Sequence, residues 1–131
     1  MDSAPRHQAR ERALTLLYEA ELKGRPPAEI VDELPMAPDA YTSRLVGAVE
    51  RRCPEIDDLV DAAAIDWDID RMAVVDRNVL RLGVAELIEC PEVPVAVVLN
   101  EAVELASAYS TDDSGRFVNG VLATLARQIR E

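Results

Sequence analysis

Eight prolines divide a chain whose apolar residues recur, almost everywhere, with the period of a helix. From Gln8 to Lys23, residues Ala9, Ala13, Leu16, Leu17 and Ala20 fall on one helical face. Gly24 and the pair Pro26-Pro27 stop that helix. A short helix opens at Pro27 with Ile30, Val31 and Leu34 as its stripe, and Pro35 and Pro38 end it. Asp39 is placed to cap a third helix through Arg52, with Leu45, Val46 and Val49 inward. Pro54 reads as the break before a fourth, which carries Ile56, Leu59, Val60 and Ala63. Asp66 to Asp70 reads as an acidic joint around the only tryptophan, Trp67. The helix from Ala73 to Glu89 is apolar around most of its circumference, which marks a central, buried element. Another helix spans about Pro94 to Tyr109, and the cap-rich run Ser110 to Ser114 precedes a last one with Phe117, Val118, Val121, Leu122 and Leu125. No segment alternates with period two between hairpin turns. The expectation is all-α: a single compact helical domain of six or seven helices over residues 1–131.

Composition then restricts function. Of 131 residues, 49% are apolar and 30% charged, which excludes a disordered tail. No run approaches the ~20 apolar residues of a membrane span, and the start of the chain has no apolar signal core. A cytoplasmic protein with no membrane partner is therefore expected. Cys53 and Cys90 are too few for a disulfide framework and read as free thiols. One histidine, His7, excludes most His-based catalysis and multi-His metal sites. The glycines form neither a dinucleotide fingerprint nor a P-loop. Asp66, Asp68 and Asp70 resemble the opening of a calcium loop, but Arg71 and Arg77 occupy the positions that need Gly and Glu. No cofactor, metal or catalytic residue is implied.

Lys and Arg total 14 against 25 Asp and Glu, a net charge of −11. That opposes binding nucleic acid through overall charge, yet permits a local basic site, because charge acts within a Debye length of about 8 Å. Two segments offer one. Arg6, His7, Arg10 and Arg12 lie within seven residues, and Arg6 and Arg10 share a helix face expected to project from an end the core does not need. Guanidinium forks suit phosphates and stack on bases; the competing reading is a solvated helix start. In Asp112 to Gly120, the only Phe, Phe117, follows Arg116 at a helix start, where the pair can meet an unpaired base. The competing reading puts Phe117 in the core with Asp112 or Asp113 capping. Asn119 and Gly120 are poor helix formers and signal close packing or a contact.

Taken in order, these segments resemble the NusB family of bacterial transcription antitermination factors. The carrying residues run from Arg6 to Ala13 with Leu17-Tyr18, from Val75 to Arg81, from Asn100 to Ala106, and through Asp113-Ser114 and Phe117 to Leu122. The resemblance implies a helical RNA-binding domain without catalysis. It implies binding to the boxA element of nascent RNA together with NusE, a small-subunit ribosomal protein. Other Nus factors and RNA polymerase are engaged indirectly, notably on ribosomal RNA operons. By position, Arg6, His7, Arg10, Asp113, Arg116 and Phe117 would contact RNA, and Tyr18 and Asp76 would face NusE. Some members form homodimers that can mask the arginine-rich face, so a homodimer is a further candidate state. Two other functions are weighed beside this: a protein-only module whose acidic surface takes a basic partner, and an orphaned methyltransferase domain, which lacks a cofactor loop.

Overall fold

The computed structural model describes residues 4–65 and 67–130, and among these every regular element is helical. Asp66, part of the acidic joint read from the sequence, lies outside the described residues. The elements are α1 (Ala4–Lys23), α2 (Pro27–Asp32), α3 (Ala40–Ala63), a 3-10 turn (Ile69–Arg71), α4 (Val74–Glu89), α5 (Val95–Tyr109) and α6 (Asp112–Ile129).

Local chemistry sets the ends. Gly24 has φ +63°, the left-handed conformation that terminates a helix without a Cβ penalty. Pro27 occupies the first turn of α2, where its missing N–H would have been unpaired anyway. Asp39 caps α3 by accepting from the Thr42 N–H at 3.0 Å.

Pro54 does not break the chain there, so the expected third and fourth helices are one. The buried residues Leu45, Val49, Ile56 and Val60 continue one stripe across it. Pro54 itself is exposed, so the Glu50 carbonyl that loses its partner can turn to water. Packing on both sides outweighs one missing hydrogen bond.

α4 is the axis. Leu80, Leu82, Val84, Ala85 and Leu87 are buried on several sides, and α1, α3, α5 and α6 all pack on it. Gly83 makes one crossing possible: a Cβ there would stand 2.8 Å from Leu122 Cδ1 of α6. The Arg130 guanidinium closes the far end of α4, donating to the carbonyls of Leu87, Cys90 and Val93 at 2.8–3.1 Å. Cys53, half-buried, and Cys90, buried, are free thiols. Among the described residues no helix is long and apolar enough to cross a membrane.

Candidate functional site

The start of α1 sits where α3, α4 and α5 converge. Pro5 is tolerated in the first turn, so the helix begins a turn earlier than the apolar pattern indicates. Arg6 lies over the Tyr41 ring, 5.1 Å from its centroid, with Arg10 at 5.8 Å and Arg44 at 5.9 Å. Three guanidiniums therefore surround one aromatic ring.

Arg10 corrects an expectation. It does not project but is 1% exposed, and its guanidinium forks onto Glu86 with contacts of 2.6–2.9 Å. It also donates to Glu101 at 3.2 Å, and Glu86 accepts from the Tyr41 hydroxyl at 2.5 Å. The reason is position: Arg10 lies one turn before Ala13 and Leu14 on the buried face, so it needs a buried counter-charge. Burial and the hydrogen bond to Glu86 push the Tyr41 hydroxyl far above its ordinary pKa, so it stays a donor. Sequence reasoning missed Glu86, Glu101 and Tyr41. A signal existed: Glu86 is an acid inside an otherwise apolar run.

His7, half-exposed, places Nδ1 2.7 Å from Glu101 Oε2. That hydrogen bond, with the charges of Glu101, Glu11 and Glu104, outweighs partial burial and raises the imidazole pKa.

The second segment opens α6. The cap is Thr111, whose hydroxyl oxygen accepts from the Ser114 N–H at 3.0 Å, rather than Asp112 or Asp113. A Thr side chain at the cap leaves both acids in the first turn, where the helix dipole favours them. Ser114 is buried and its hydroxyl donates to Asp76 Oδ2 at 3.0 Å, which ties α6 to the start of α4. Asp113 and Arg116 are exposed and pair with each other. Phe117 is half-buried and meets Trp67 edge-on, centroids 6.4 Å apart. Trp67, 56% exposed, was legible in the sequence only as part of a joint.

Phe117, Trp67, Arg71, Asp113 and Asp76 rim a hollow of about 360 Å³. The buried Asp76 Oδ1 has no hydrogen-bond partner. A second hollow of about 320 Å³ is lined by Leu14, Tyr18, Val75 and Tyr109. Val75 and Asp76 are consecutive, so the two hollows share the first turn of α4 as a wall. The structure thus brings Tyr18, Asp76, Asp113 and Phe117 to neighbouring hollows, with Arg116 beside them through its pair with Asp113. The Tyr109 hydroxyl donates to Glu11 at 3.2 Å, joining this face to the start of α1. Gly120 and Asn119 are exposed, and a Cβ on Gly120 would meet nothing within 4 Å. Close packing therefore does not explain that pair. Gly115 is the crowded glycine, its would-be Cβ 2.5 Å from Ser107 Oγ.

The chain is similar in sequence and in fold to known proteins. A transcription antitermination protein NusB of Thermobifida fusca is 44% identical over 126 residues, covering 92% of this chain and 87% of that protein. The corresponding protein of Acidothermus cellulolyticus is 46% identical over 124 residues, covering 92% and 86%. A solved structure of T. maritima NusB matches with a TM-score of 0.86 and 31% identity, covering 97% of this chain and 94% of that one. A crystal structure of antitermination factors NusB and NusE in complex with dsRNA matches with a TM-score of 0.82 and 33% identity, covering 97% and 99%. The NusB family profile matches residues 7–127, and with that extent of agreement the chain belongs to the NusB family of transcription antitermination proteins.

Proposed function

We propose that this antitermination factor is a non-catalytic adaptor that holds boxA RNA together with NusE. The assembly would then reach RNA polymerase and the other Nus factors indirectly, in the cytoplasm and chiefly on ribosomal RNA operons. Arg6 and His7 at the start of α1, and Asp113, Arg116 and Phe117 at the start of α6, are assigned to RNA. Tyr18 and Asp76 are assigned to NusE. Arg10 acts through others: it holds Glu86 and Glu101 and sets the platform on which Arg6 lies. The observation that carries the reading is the shared wall. Half-buried Phe117 and Asp76 line one hollow with exposed Arg116 next to Phe117 in the chain, and Tyr18 lines the second together with Val75, the chain neighbour of Asp76. A solved relative of the same fold is a complex of NusB and NusE with dsRNA, which supports a reading in which this protein takes both kinds of ligand. Family membership favours this reading over a protein-only module.

The test is a titration of boxA and scrambled RNA, with and without NusE. BoxA preference is expected when NusE is present. If about three phosphates are neutralised, log K falls against log salt with a slope of roughly −2, as for single strands. Arg6→Ala with Arg116→Ala should flatten that slope by about 0.7 for each phosphate no longer neutralised. Equal affinity for both RNAs, with and without NusE, would overturn the reading.

A further inference from the structure

We propose that His7, Glu101 and Glu104 form a binding site for a divalent transition-metal ion of the zinc type, at the start of α1 against α5. The three ligand atoms come from two helices and lie within 4.8 Å of one another. Glu101 and Glu104 are three residues apart on α5 and share a face. His7 Nδ1 is 2.7 Å from Glu101 Oε2 and 4.0 Å from Glu104 Oε2. Tetrahedral zinc with bonds near 2.0–2.1 Å separates its ligands by roughly 3.3 Å. The observed separations bracket that value. Glu104 is exposed, so its side chain can close the difference by rotation.

The groups behind the three ligands fit as well. Glu11 Oε1 stands 3.6 Å from Nε2, the ring nitrogen that faces away from the other two ligands. That contact is too long for a hydrogen bond, so an ion at Nδ1 takes the place of the proton that Nδ1 shares with Glu101 Oε2, and binding releases that proton. Glu11 is itself held by the Tyr109 hydroxyl at 3.2 Å. The Arg10 guanidinium holds the Glu101 oxygen that does not face His7, also at 3.2 Å. Two ligands are thus oriented before any ion arrives, and the third is free to rotate. One imidazole and two carboxylates suit zinc and its first-row neighbours, whereas magnesium and calcium take oxygen ligands alone. Three protein ligands leave one coordination position for water. Occupancy would replace the excess negative charge of these carboxylates by a near-neutral centre at the start of α1. The site does not depend on the assignment of Arg6 or His7 to RNA.

The experiment uses the untagged full chain and zinc chloride, followed by calorimetry and by NMR of the His7 ring, the chain's sole imidazole. One zinc per chain is expected, with the His7 ring resonances moving on addition and magnesium chloride producing neither effect. Glu104→Gln should weaken zinc at least tenfold and His7→Asn should abolish the site. Both positions lie outside the core, and the thermal midpoint of each variant checks that the fold is kept. Three results would overturn the proposal: zinc binding unchanged in both variants, binding lost instead in Cys53→Ser, or a proton-only site in which millimolar zinc moves no His7 resonance.

Discussion

The Arg10 guanidinium spans Glu86 and Glu101 from a position 1% exposed, so its removal strands a buried carboxylate. Arg10→Ala is expected to destabilise the protein by about 3–5 kcal/mol, read by urea denaturation. Arg10→Lys should recover only part of this, since an ammonium cannot form the two-pronged contact. Replacing both partners, with Arg10→Met and Glu86→Leu, should cost clearly less than Arg10→Ala. A double variant as unstable as Arg10→Ala would show that the pair is not the source of the loss. This residue also marks the limit of reading from sequence. That Arg6 and Arg10 share a face follows from the helical period. Which way the face points depends on Glu86, 76 residues away, and no local spacing reports such a partner. Arg116 and Phe117 were legible as a cation beside an aromatic at a helix start. Trp67, which meets the Phe117 ring at the hollow, was not, because the contact joins a loop to a helix distant in the chain.

At the scale of elements, the apolar stripes located the helices because burial of one face is what makes each of them stable. The misplaced boundary was at Pro54, where a strong local rule met a stronger tertiary one. The stripe through Leu45, Val49, Ile56 and Val60 is continuous, and packing it on α1 and α4 holds the helix together. Glycines show the same contest. Gly83 sits at the α4–α6 crossing, where a methyl group would press on buried Leu122, while Gly120 faces open space on the outside of α6. Gly83→Ala is expected to cost about 1–3 kcal/mol by overpacking. Gly120→Ala should instead stabilise by about 0.5–1 kcal/mol, because helix-interior glycine loses more entropy on folding than alanine. Thermal melts of the two single variants decide this, with shifts of opposite sign. If Gly120→Ala stabilises the protein and weakens binding of RNA or NusE, the exposed Asn119-Gly120 pair is a contact surface rather than a packing device.

For the whole molecule, the net charge of −11 and the paired carboxylates pull stability in opposite directions as pH falls. Protonating exposed acids relieves mutual repulsion, which favours the compact state. Protonating a carboxylate held by arginines removes an attraction. Glu21 is the partly buried case that matters most. Burial pushes its carboxyl up, but the hydrogen bond and charge of Arg77, with Arg81 and Asn78, more than offset this and leave it below the ordinary value. Glu33, Glu89 and Glu92 are also held low, by Arg25, by Arg51 and Arg52, and by Arg44, but these pairs are exposed and contribute little to stability. Because the folded value of Glu21 is depressed, its contribution is complete above the ordinary carboxylate range and disappears as pH falls through the folded value. Stability measured by urea denaturation is therefore expected to hold or rise from pH 7 to about 5 and to fall steeply below about 4. Glu21→Gln should be less stable than wild type by about 1–2 kcal/mol at neutral pH, with the gap closing as pH drops below about 4. A gap that stays constant across that range would mean that Glu21 supports the α1–α4 contact through packing rather than through its charge.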